Sequence, residues 1–184
     1  IVAGVVKNIK PYGVFIEIEN GITGLLHIED ISVARIKSPK ERLKIGQNVN
    51  IMIKSIDKEN KRIFLTYKEL LGTWKENSDN FKSGQTVAGI VRSIENYGIF
   101  IELAPNLAGL AEFRGDVKVG QSASVYIKAI IPDKMKIKLV IVDVFDSDKS
   151  YKEPVEYFLT ADDEHIDFWK YSTEESNKDI SVVF

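Results

Sequence analysis

The 184-residue chain contains no cysteine and only two histidines. Without thiols it forms neither disulfides nor thiolate metal sites, and the wide separation of His27 and His165 argues against a histidine metal site. No apolar run approaches the roughly 18 residues that a membrane span requires, so we expect no membrane partner. A chain free of cysteine suits a reducing compartment, and we predict a cytoplasmic location.

Motifs for catalysis are absent as well. The sequence has no phosphate-cradling glycine loop, no nucleophile–base pair and no metal-ligand spacing. Glu17 and Glu102 occupy equivalent positions in two separate parts of the chain, whereas a nuclease needs clustered carboxylates for its metals. The three acids at 162–164 have no ligand scaffold around them and are typical of a solvated turn. We therefore expect no enzyme, no cofactor, no metal and no small-molecule substrate.

The chain is an internal duplication. The word Lys-Ile-Gly-Gln at 44–47 returns as Lys-Val-Gly-Gln at 118–121, a shift of 74 positions. Three earlier words return after a shift of 85 positions instead. The chain is therefore two copies of one module, and the second copy is 11 residues shorter. The earlier words lie at 2–6, 12–17 and 24–26, and their repeats lie at 87–91, 97–102 and 109–111.

The first copy has the pattern of a small β-barrel. Val14 and Ile16 alternate with Phe15 and Glu17, which predicts a half-buried strand with the aromatic ring facing outward. Ser38-Pro39-Lys40-Glu41 has capping-box spacing with proline in the first turn, which predicts a short helix. Five strands with a helix after the third are typical of an OB-fold. The predicted strands are 1–9, 13–19, 22–28, 47–56 and 61–67.

We predict an all-β chain of two tandem five-stranded Greek-key OB-fold barrels, at 1–67 and 84–146. A short helical linker, 68–83, joins them, with Trp74 packed between the modules. Residues 147–184 are predicted to form an acidic β-hairpin extension on the second module. The chain opens on Ile1 without methionine, so we expect it to be a piece of a longer protein.

Charge is distributed unevenly along the chain. Residues 1–71 have 12 Lys and Arg against 8 Asp and Glu, whereas residues 72–146 are balanced at 9 against 9. Residues 147–184 have 4 against 10, so a net charge of −2 hides a basic module and an acidic tail. Such asymmetry concerns partners rather than fold. The excess in the first module is modest and also fits an ordinary solvated surface.

Several words of the first copy, in order, resemble the S1-type RNA-binding domain, and residues 70–74 resemble a linker of bacterial tandem S1-type proteins. The resemblance implies single-stranded RNA as partner, mRNA in translation or RNA turnover. It also implies RNA contacts at Tyr12, Phe15, His27, Asp57 and Arg62, to which we add Lys61 and Phe64. The resembling words are Gly4-Val5-Val6, Tyr12-Gly13-Val14-Phe15, Gly24-Leu25-Leu26-His27-Ile28, Leu43-Lys44-Ile45-Gly46-Gln47 and Ile56-Asp57.

These residue types fit that chemistry. Outward rings on neighbouring strands stack on bases, and every base offers a π-face. Arg62, or Lys61 because the loop is one residue longer than expected, supplies charge for phosphate. Asp57 accepts a hydrogen bond from a base edge or anchors Arg62, and the sequence does not choose between the two. Tyr12 has a second interpretation, closure of the barrel mouth, and Lys61 and Arg62 have another, hairpin solubility.

The second copy keeps only part of this set. Tyr97 and Phe100 match the aromatic pair, but Glu112 stands where the first copy has His27. Ile131, Lys136 and Lys138 replace Asp57, Arg62 and Phe64. Together with Lys134, the two lysines are predicted to form a basic stripe on one face. We interpret this copy as a weaker RNA-binding module with Tyr97, Phe100, Lys134, Lys136 and Lys138, as a spacer, or as a protein-docking module. Docking on the ribosome or an RNA-processing complex is the rival function for the chain.

Overall fold

The computed structural model describes residues 1–146, 155–163 and 165–184. The first five strands close into a barrel in the order β1-β2-β3-β5-β4, with β4 returning to β1. Only β3 and β5 run parallel, and the other pairs are antiparallel. This arrangement confirms the predicted OB-fold. The strands are β1 (Val2–Lys10), β2 (Gly13–Glu17), β3 (Thr23–His27), β4 (Asn48–Asp57) and β5 (Arg62–Thr66).

The second barrel repeats this topology, in the closed order β10-β8-β7-β6-β9. The last hairpins also agree in register, because Asp57 pairs with Arg62 and Ile131 pairs with Lys136. The 74-residue shift read from the sequence therefore describes equivalent positions in space. The strands are β6 (Thr86–Glu95), β7 (Gly98–Ala104), β8 (Leu107–Ala111), β9 (Ser122–Ile131) and β10 (Lys136–Phe145).

Each barrel is filled by the inward residues of its alternating strands. In the first barrel Val14, Ile16 and Leu65 are fully buried, as the alternation predicts. Each buried side chain of this size contributes about 1.5–3 kcal/mol through the hydrophobic effect. Leu65 fills the space above Gly24, where an added Cβ would lie 2.7 Å from the Leu65 Cδ1 atom. The barrel closes tightly between β3 and β5 because a glycine faces a leucine there.

The alternation predicted along β4 is wrong at its centre. Strict alternation would bury Val49, Ile51 and Ile53. Val49 and Ile51 are buried, but Ile53 is 37% exposed and Met52 is buried instead. The pairing with β5 shifts between Ile53 and Ser55, which marks a β-bulge. A bulge adds one residue to one strand and breaks the two-residue period.

The connection between β3 and β4 contains the predicted capped turn. Residues Pro39–Glu41 form one 3₁₀ turn, and the Ser38 hydroxyl accepts a hydrogen bond of 3.3 Å from the Lys40 amide. Leu43, which follows this turn, is buried in the barrel. The shorter second copy has no helix between β8 and β9. The 11 missing residues therefore come from this connection.

The linker predicted to be helical, 68–83, contains two short helical segments rather than one continuous helix. Lys68–Leu71 is a 3₁₀ turn and Trp74–Ser78 is a short α-helix, α1. Gly72 separates them with a φ of 91°, outside the helical region. Thr73 then starts α1 through a capping box with Glu76. Trp74, which the sequence analysis expected to be packed, is buried and belongs to the second compact unit.

The C-terminal strands also differ from the prediction. Strands were expected at 156–160 and 166–171, but the pair is formed by β11 (Phe168–Lys170) and β12 (Ser181–Val183). Residues 155–160 have no regular structure. The remainder of the predicted extension, 147–154 and Glu164, lies outside the described residues. The choice of partner depends on tertiary packing that local patterns do not report.

The extension was expected to pack on the second module, and among its described residues 155–156 and 170–179 group with that module. Residues 157–169 and 180–184 group with the first barrel. There the Phe158 amide donates to the Leu70 carbonyl at 2.7 Å, and the ring of Tyr157 lies 6.2 Å from that of Tyr67. In the second unit the Tyr171 hydroxyl donates to the Asn106 carbonyl at 2.6 Å.

A buried carboxyl in the first unit makes stability depend on pH. Glu69 is fully buried, and only its Oε2 atom accepts a hydrogen bond, of 2.5 Å from the Thr66 hydroxyl. Burial raises the pKa of Glu69, while the Thr66 bond opposes this shift. A raised folded pKa means that folding favours the protonated acid. The contribution of Glu69 to the free energy of unfolding is therefore greatest below the ordinary carboxyl pKa. It falls as pH rises through the raised pKa of the folded state.

Glu69→Gln is expected to raise the urea midpoint of the first unit at pH 8, because it removes a buried charge. At pH 5 the gain should be smaller, so the midpoint should vary less with pH than in the wild-type chain. Urea titrations at both pH values check this. Glu59→Gln, an exposed substitution in the β4–β5 turn, is the control. A Glu69→Gln chain less stable than wild type at pH 8 would contradict the argument.

Candidate nucleic-acid interface

Two aromatic rings project from the first barrel beside the β1–β2 turn. Tyr12 is 49% exposed, and Phe15 in β2 is half-buried between the fully buried Val14 and Ile16. The two ring centroids lie 6.3 Å apart at an interplanar angle of 90°, an edge-to-face pair. The outward orientation predicted for Phe15 is confirmed. Its role toward RNA stays a prediction.

The backbone fixes Tyr12 next to His27. Gly13 pairs with His27 across β2 and β3, and the Ile28 amide donates to the Tyr12 carbonyl at 2.9 Å. A Cβ atom at Gly13 would overlap the Leu26 carbonyl oxygen. The glycine is therefore required for the close approach of the two strands that brings the tyrosine and the histidine together.

The His27 side chain is exposed and held in one orientation. Its Nδ1 atom accepts a hydrogen bond of 3.3 Å from the Glu29 amide. Since Nδ1 accepts, the proton of the neutral ring belongs on Nε2. The imidazole therefore offers an N–H donor to solvent or to a ligand.

Phe64 extends the aromatic surface across the sheet. Leu25 of β3 pairs with Phe15 on one side and with Phe64 of β5 on the other. Neighbouring strands lie about 4.7–4.9 Å apart, so the backbones of Phe15 and Phe64 are about 10 Å apart. Phe64 is half-buried like Phe15. We call Tyr12, Phe15, His27 and Phe64 the first face.

The β4–β5 hairpin resolves the question about Asp57. Its carboxylate accepts from the Asn60 amide at 3.2 Å and from the Asn60 side chain at 2.9 Å. These two hydrogen bonds are the main reason why the pKa of Asp57 is lowered, and Arg62 is the smallest cause. Asp57 therefore holds the turn through Asn60, a partner that the sequence analysis missed. Lys61, with a left-handed φ of 52°, and Arg62 are both exposed at this turn.

The second barrel presents a related surface with different charges. Tyr97 is 65% exposed, and its ring lies 6.1 Å from that of Phe100. Leu110 pairs with Phe100 and with Lys138, so a lysine occupies the place of Phe64. Glu112 follows β8 and is exposed. We call Tyr97, Phe100, Glu112 and Lys138 the second face.

The basic stripe predicted on the second barrel is shorter than expected. Lys136 and Lys138 are exposed on β10 around the buried Ile137, in agreement with the alternation. Lys134 instead ends the 3₁₀ turn Pro132–Lys134, before the strand begins. Met135 follows with a left-handed φ of 48°, which turns the chain between them. Lys134 therefore does not continue the strand alternation.

The described residues contain no group of three metal-binding side chains. Within residues 1–146, 155–163 and 165–184, none of the helices has the length and apolar character that crossing a bilayer demands.

Lysines near the core of the first unit are engaged in the fold, because Lys54 contacts Asp30 at 3.1 Å and Lys68 contacts it at 3.7 Å.

Comparison with known proteins gives a family match and several relatives. Residues 1–68 match the family model described as the S1 RNA binding domain. Small ribosomal subunit protein bS1 of Chlamydia muridarum is 35% identical over 149 residues, which cover 74% of this chain and 26% of that protein. The protein of the same name from Staphylococcus aureus strain COL is 33% identical over 168 residues, covering 82% and 43%.

A relative with an enzyme name is similar at the same level. The 4-hydroxy-3-methylbut-2-enyl diphosphate reductase of Clostridium tetani is 32% identical over 155 residues, which cover 78% of this chain but 24% of that protein. The chain thus spans 24% to 43% of the length of these relatives. Sequences similar to this chain therefore occur in proteins with different names.

Proposed function

We propose that this chain holds single-stranded RNA on the first face. The chain belongs to the S1-type RNA-binding domain family through residues 1–68, and this membership supports the proposal. The bound RNA is mRNA during translation or RNA turnover, in the cytoplasm of a bacterium. The observation that carries this proposal is the set of outward rings beside an exposed imidazole on a barrel of this family. The proposed RNA-binding residues are Tyr12, Phe15, His27, Asp57, Lys61, Arg62 and Phe64.

The first face suits unpaired bases rather than a duplex. Tyr12, Phe15 and Phe64 offer ring surface, and a base stacked on an aromatic ring gains about 1–3 kcal/mol. His27 adds a donor for a base edge. Lys61 and Arg62 lie at the neighbouring hairpin, where they reach phosphate oxygens. Asp57 acts indirectly, since its carboxylate holds the turn that presents these two cations.

The second face binds RNA more weakly in this proposal. It keeps the ring pair of Tyr97 and Phe100, but Glu112 adds a negative charge that repels phosphate. Lys136 and Lys138 partly offset that charge, with Lys134 at the adjoining turn. This face therefore contributes to a longer RNA path without being the main contact.

Catalysis forms no part of this proposal. Relatives of this chain are mainly named as ribosomal protein bS1, and the reductase relative matches over only 24% of its length. The chain has no cysteine, and its described residues contain no group of three His, Asp or Glu side chains that could hold a metal ion. We propose a binding protein whose role is to hold RNA.

A second candidate function is protein docking on the ribosome or on an RNA-processing complex. The observation that favours it is an apolar surface on the second barrel. Tyr126 pairs with Val140 across β9 and β10, and both side chains are exposed together with Val142 and Phe145. In this function the chain is an adaptor and its RNA affinity is incidental.

The test is RNA binding by single variants of the full chain. Phe15→Ala and His27→Ala should each weaken binding to a short single-stranded RNA, by about 1–3 kcal/mol for the loss of a stacked base. Tyr97→Ala and Phe100→Ala should cost less, since the second face is secondary. Fluorescence anisotropy of a labelled oligonucleotide measures all four affinities at one salt concentration.

Ile22→Ala, an exposed apolar substitution on the same barrel, is the control and should leave affinity unchanged. Unchanged affinity in both first-face variants would remove this surface from RNA binding and favour docking. Equal losses in the two barrels would show that the ranking of the two faces is wrong.

A further inference from the structure

At one equivalent position the first face offers a hydrogen-bond donor, whereas the second face offers hydrogen-bond acceptors. His27 follows Leu26, which pairs with Val14, and Glu112 follows Ala111, which pairs with Ile99. These pairs correspond under the 85-residue shift. Both side chains are exposed. The scaffold therefore places an imidazole on one barrel and a carboxylate on the other at the same site beside the ring pair.

The two groups have opposite hydrogen-bonding capacity. With Nδ1 accepting from the Glu29 amide, neutral His27 presents Nε2–H as a donor. An ionised Glu112 presents two oxygen acceptors and no donor. In the described part of the chain, neither a hydrogen bond nor an ion pair engages the Glu112 carboxylate, so both of its oxygens face solvent.

The surroundings of Glu112 are those of a base site. Leu110 lies two residues earlier along the chain and about 7 Å away, and Glu112 directly follows the end of β8. It pairs with Phe100, whose ring is half-buried next to the exposed Tyr97. It also pairs with Lys138 on the far side. An aromatic residue and a lysine thus flank Leu110, and an exposed carboxylate follows two residues later.

We propose that the second face selects guanine. The base stacks on the ring pair, its N1–H and N2–H groups donate to the two oxygens of Glu112, and Lys136 and Lys138 contact phosphate. Among the four RNA bases only guanine has two adjacent donors on its Watson–Crick edge, and this edge matches a carboxylate. The inference rests on the proposed function, because it assigns a base preference to the second of the two RNA-binding faces.

The repulsion between Glu112 and phosphate then contributes to selectivity, because it weakens the binding of bases that cannot donate to the carboxylate. A base without paired donors meets an unsatisfied carboxylate and gains nothing in return for the repulsion. Guanine forms two charge-assisted hydrogen bonds, which are stronger than neutral ones. Bidentate base contacts of this kind discriminate by about 5- to 150-fold. The second face is therefore expected to be weak toward most sequences and stronger toward one.

The experiment uses the full chain with Tyr12→Ala and Phe15→Ala, which silence the first face. The probes are uridine hexamers with one central guanosine, inosine or adenosine, and binding is followed by fluorescence anisotropy. Inosine lacks only the 2-amino donor of guanosine. We expect the guanosine probe to bind about 5-fold or more tightly than the inosine probe. Circular dichroism establishes that each variant is folded.

Glu112→Gln in the same background should abolish the guanosine preference. The control Asp143→Asn removes one negative charge at the other end of β10, where the Asp143 carboxylate contacts only its neighbouring amide in the described structure. It should raise affinity for all probes slightly and keep the preference.

Three results would overturn the inference: binding without a guanosine preference, a preference that survives Glu112→Gln, or a silenced chain that binds no probe although wild type binds. In each of these cases the proposed function stands, because the wild-type chain still binds RNA through the first face. If wild type binds none of the three probes, the proposed function itself fails, and the inference fails with it.

Discussion

Replacing Leu65 with alanine is expected to remove about 2–5 kcal/mol from the free energy of unfolding of the first barrel. Leu65 is fully buried and fills the space opposite Gly24, where β3 and β5 close the barrel. Because Gly24 has no side chain, it cannot itself fill the space that a shorter residue at position 65 leaves. The loss is a large fraction of the stability of a small domain.

Urea unfolding followed by circular dichroism measures this effect. Ile45→Ala is the matched control, since Ile45 is 66% exposed and a surface truncation usually costs less than about 0.5 kcal/mol. Leu139→Ala makes the equivalent change in the second barrel, where Leu139 faces Gly109, and identifies which part of the unfolding curve belongs to which barrel. Equal midpoints for Leu65→Ala and Ile45→Ala would show that the closure does not depend on this contact.

The same closure connects the fold to the candidate site. Leu65 pairs with Leu26 inside the barrel, and the preceding residue, Phe64, pairs with Leu25 outside it. The position of Phe64 beside Phe15 therefore depends on the packing of Leu65. In the second barrel Leu139 keeps the inward role, whereas Lys138 replaces the ring. Adjacent residues of one strand thus serve two purposes, a shared scaffold and a face that differs between the copies.

The barrels could be predicted from the sequence because their signals are local. Alternation around Val14 and Ile16 reports which side of a strand is buried, and the duplication fixes equivalent positions twice. The failures occur where the outcome depends on other parts of the chain. Ile53 is exposed at the position where the pairing of β4 with β5 begins to shift. The partner of β11 is β12 rather than the segment 156–160 that precedes it.

The candidate site could be predicted only at the level of residue types. The outward orientation of Phe15 follows from the alternation and is present in the structure, whereas Tyr12 was named through the family resemblance and is exposed. The contacts that orient the polar groups could not be predicted, since they join side chains to nearby amides in turns. The Glu29 amide fixes the tautomer of His27, and Asn60 occupies the Asp57 carboxylate. Such contacts depend on turn geometry, which residue spacing does not specify.

Removing all three rings of the first face is expected to weaken RNA binding about a hundredfold or more, because each stacked base contributes about 1–3 kcal/mol. The variant is Tyr12→Ala with Phe15→Ala and Phe64→Ala. Its dependence on salt should match that of wild type, since the rings contact no phosphate. The double variant Lys61→Ala with Arg62→Ala should instead change the dependence of binding on salt. For every phosphate that this pair no longer neutralises, the slope of log K against log salt should become shallower by about 0.7 on a single strand.

Anisotropy titrations at several salt concentrations separate these two contributions. Phe15→Leu distinguishes stacking from simple apolar contact, since leucine keeps most of the buried area without a π-face. It should bind RNA more weakly than wild type but better than Phe15→Ala. Ile45→Ala again serves as the control, because its side chain is exposed away from the strands of the first face. If the triple variant loses no more affinity than this control, bases do not stack on the first face. If its salt slope falls as well, the rings act by positioning the cations of the β4–β5 hairpin.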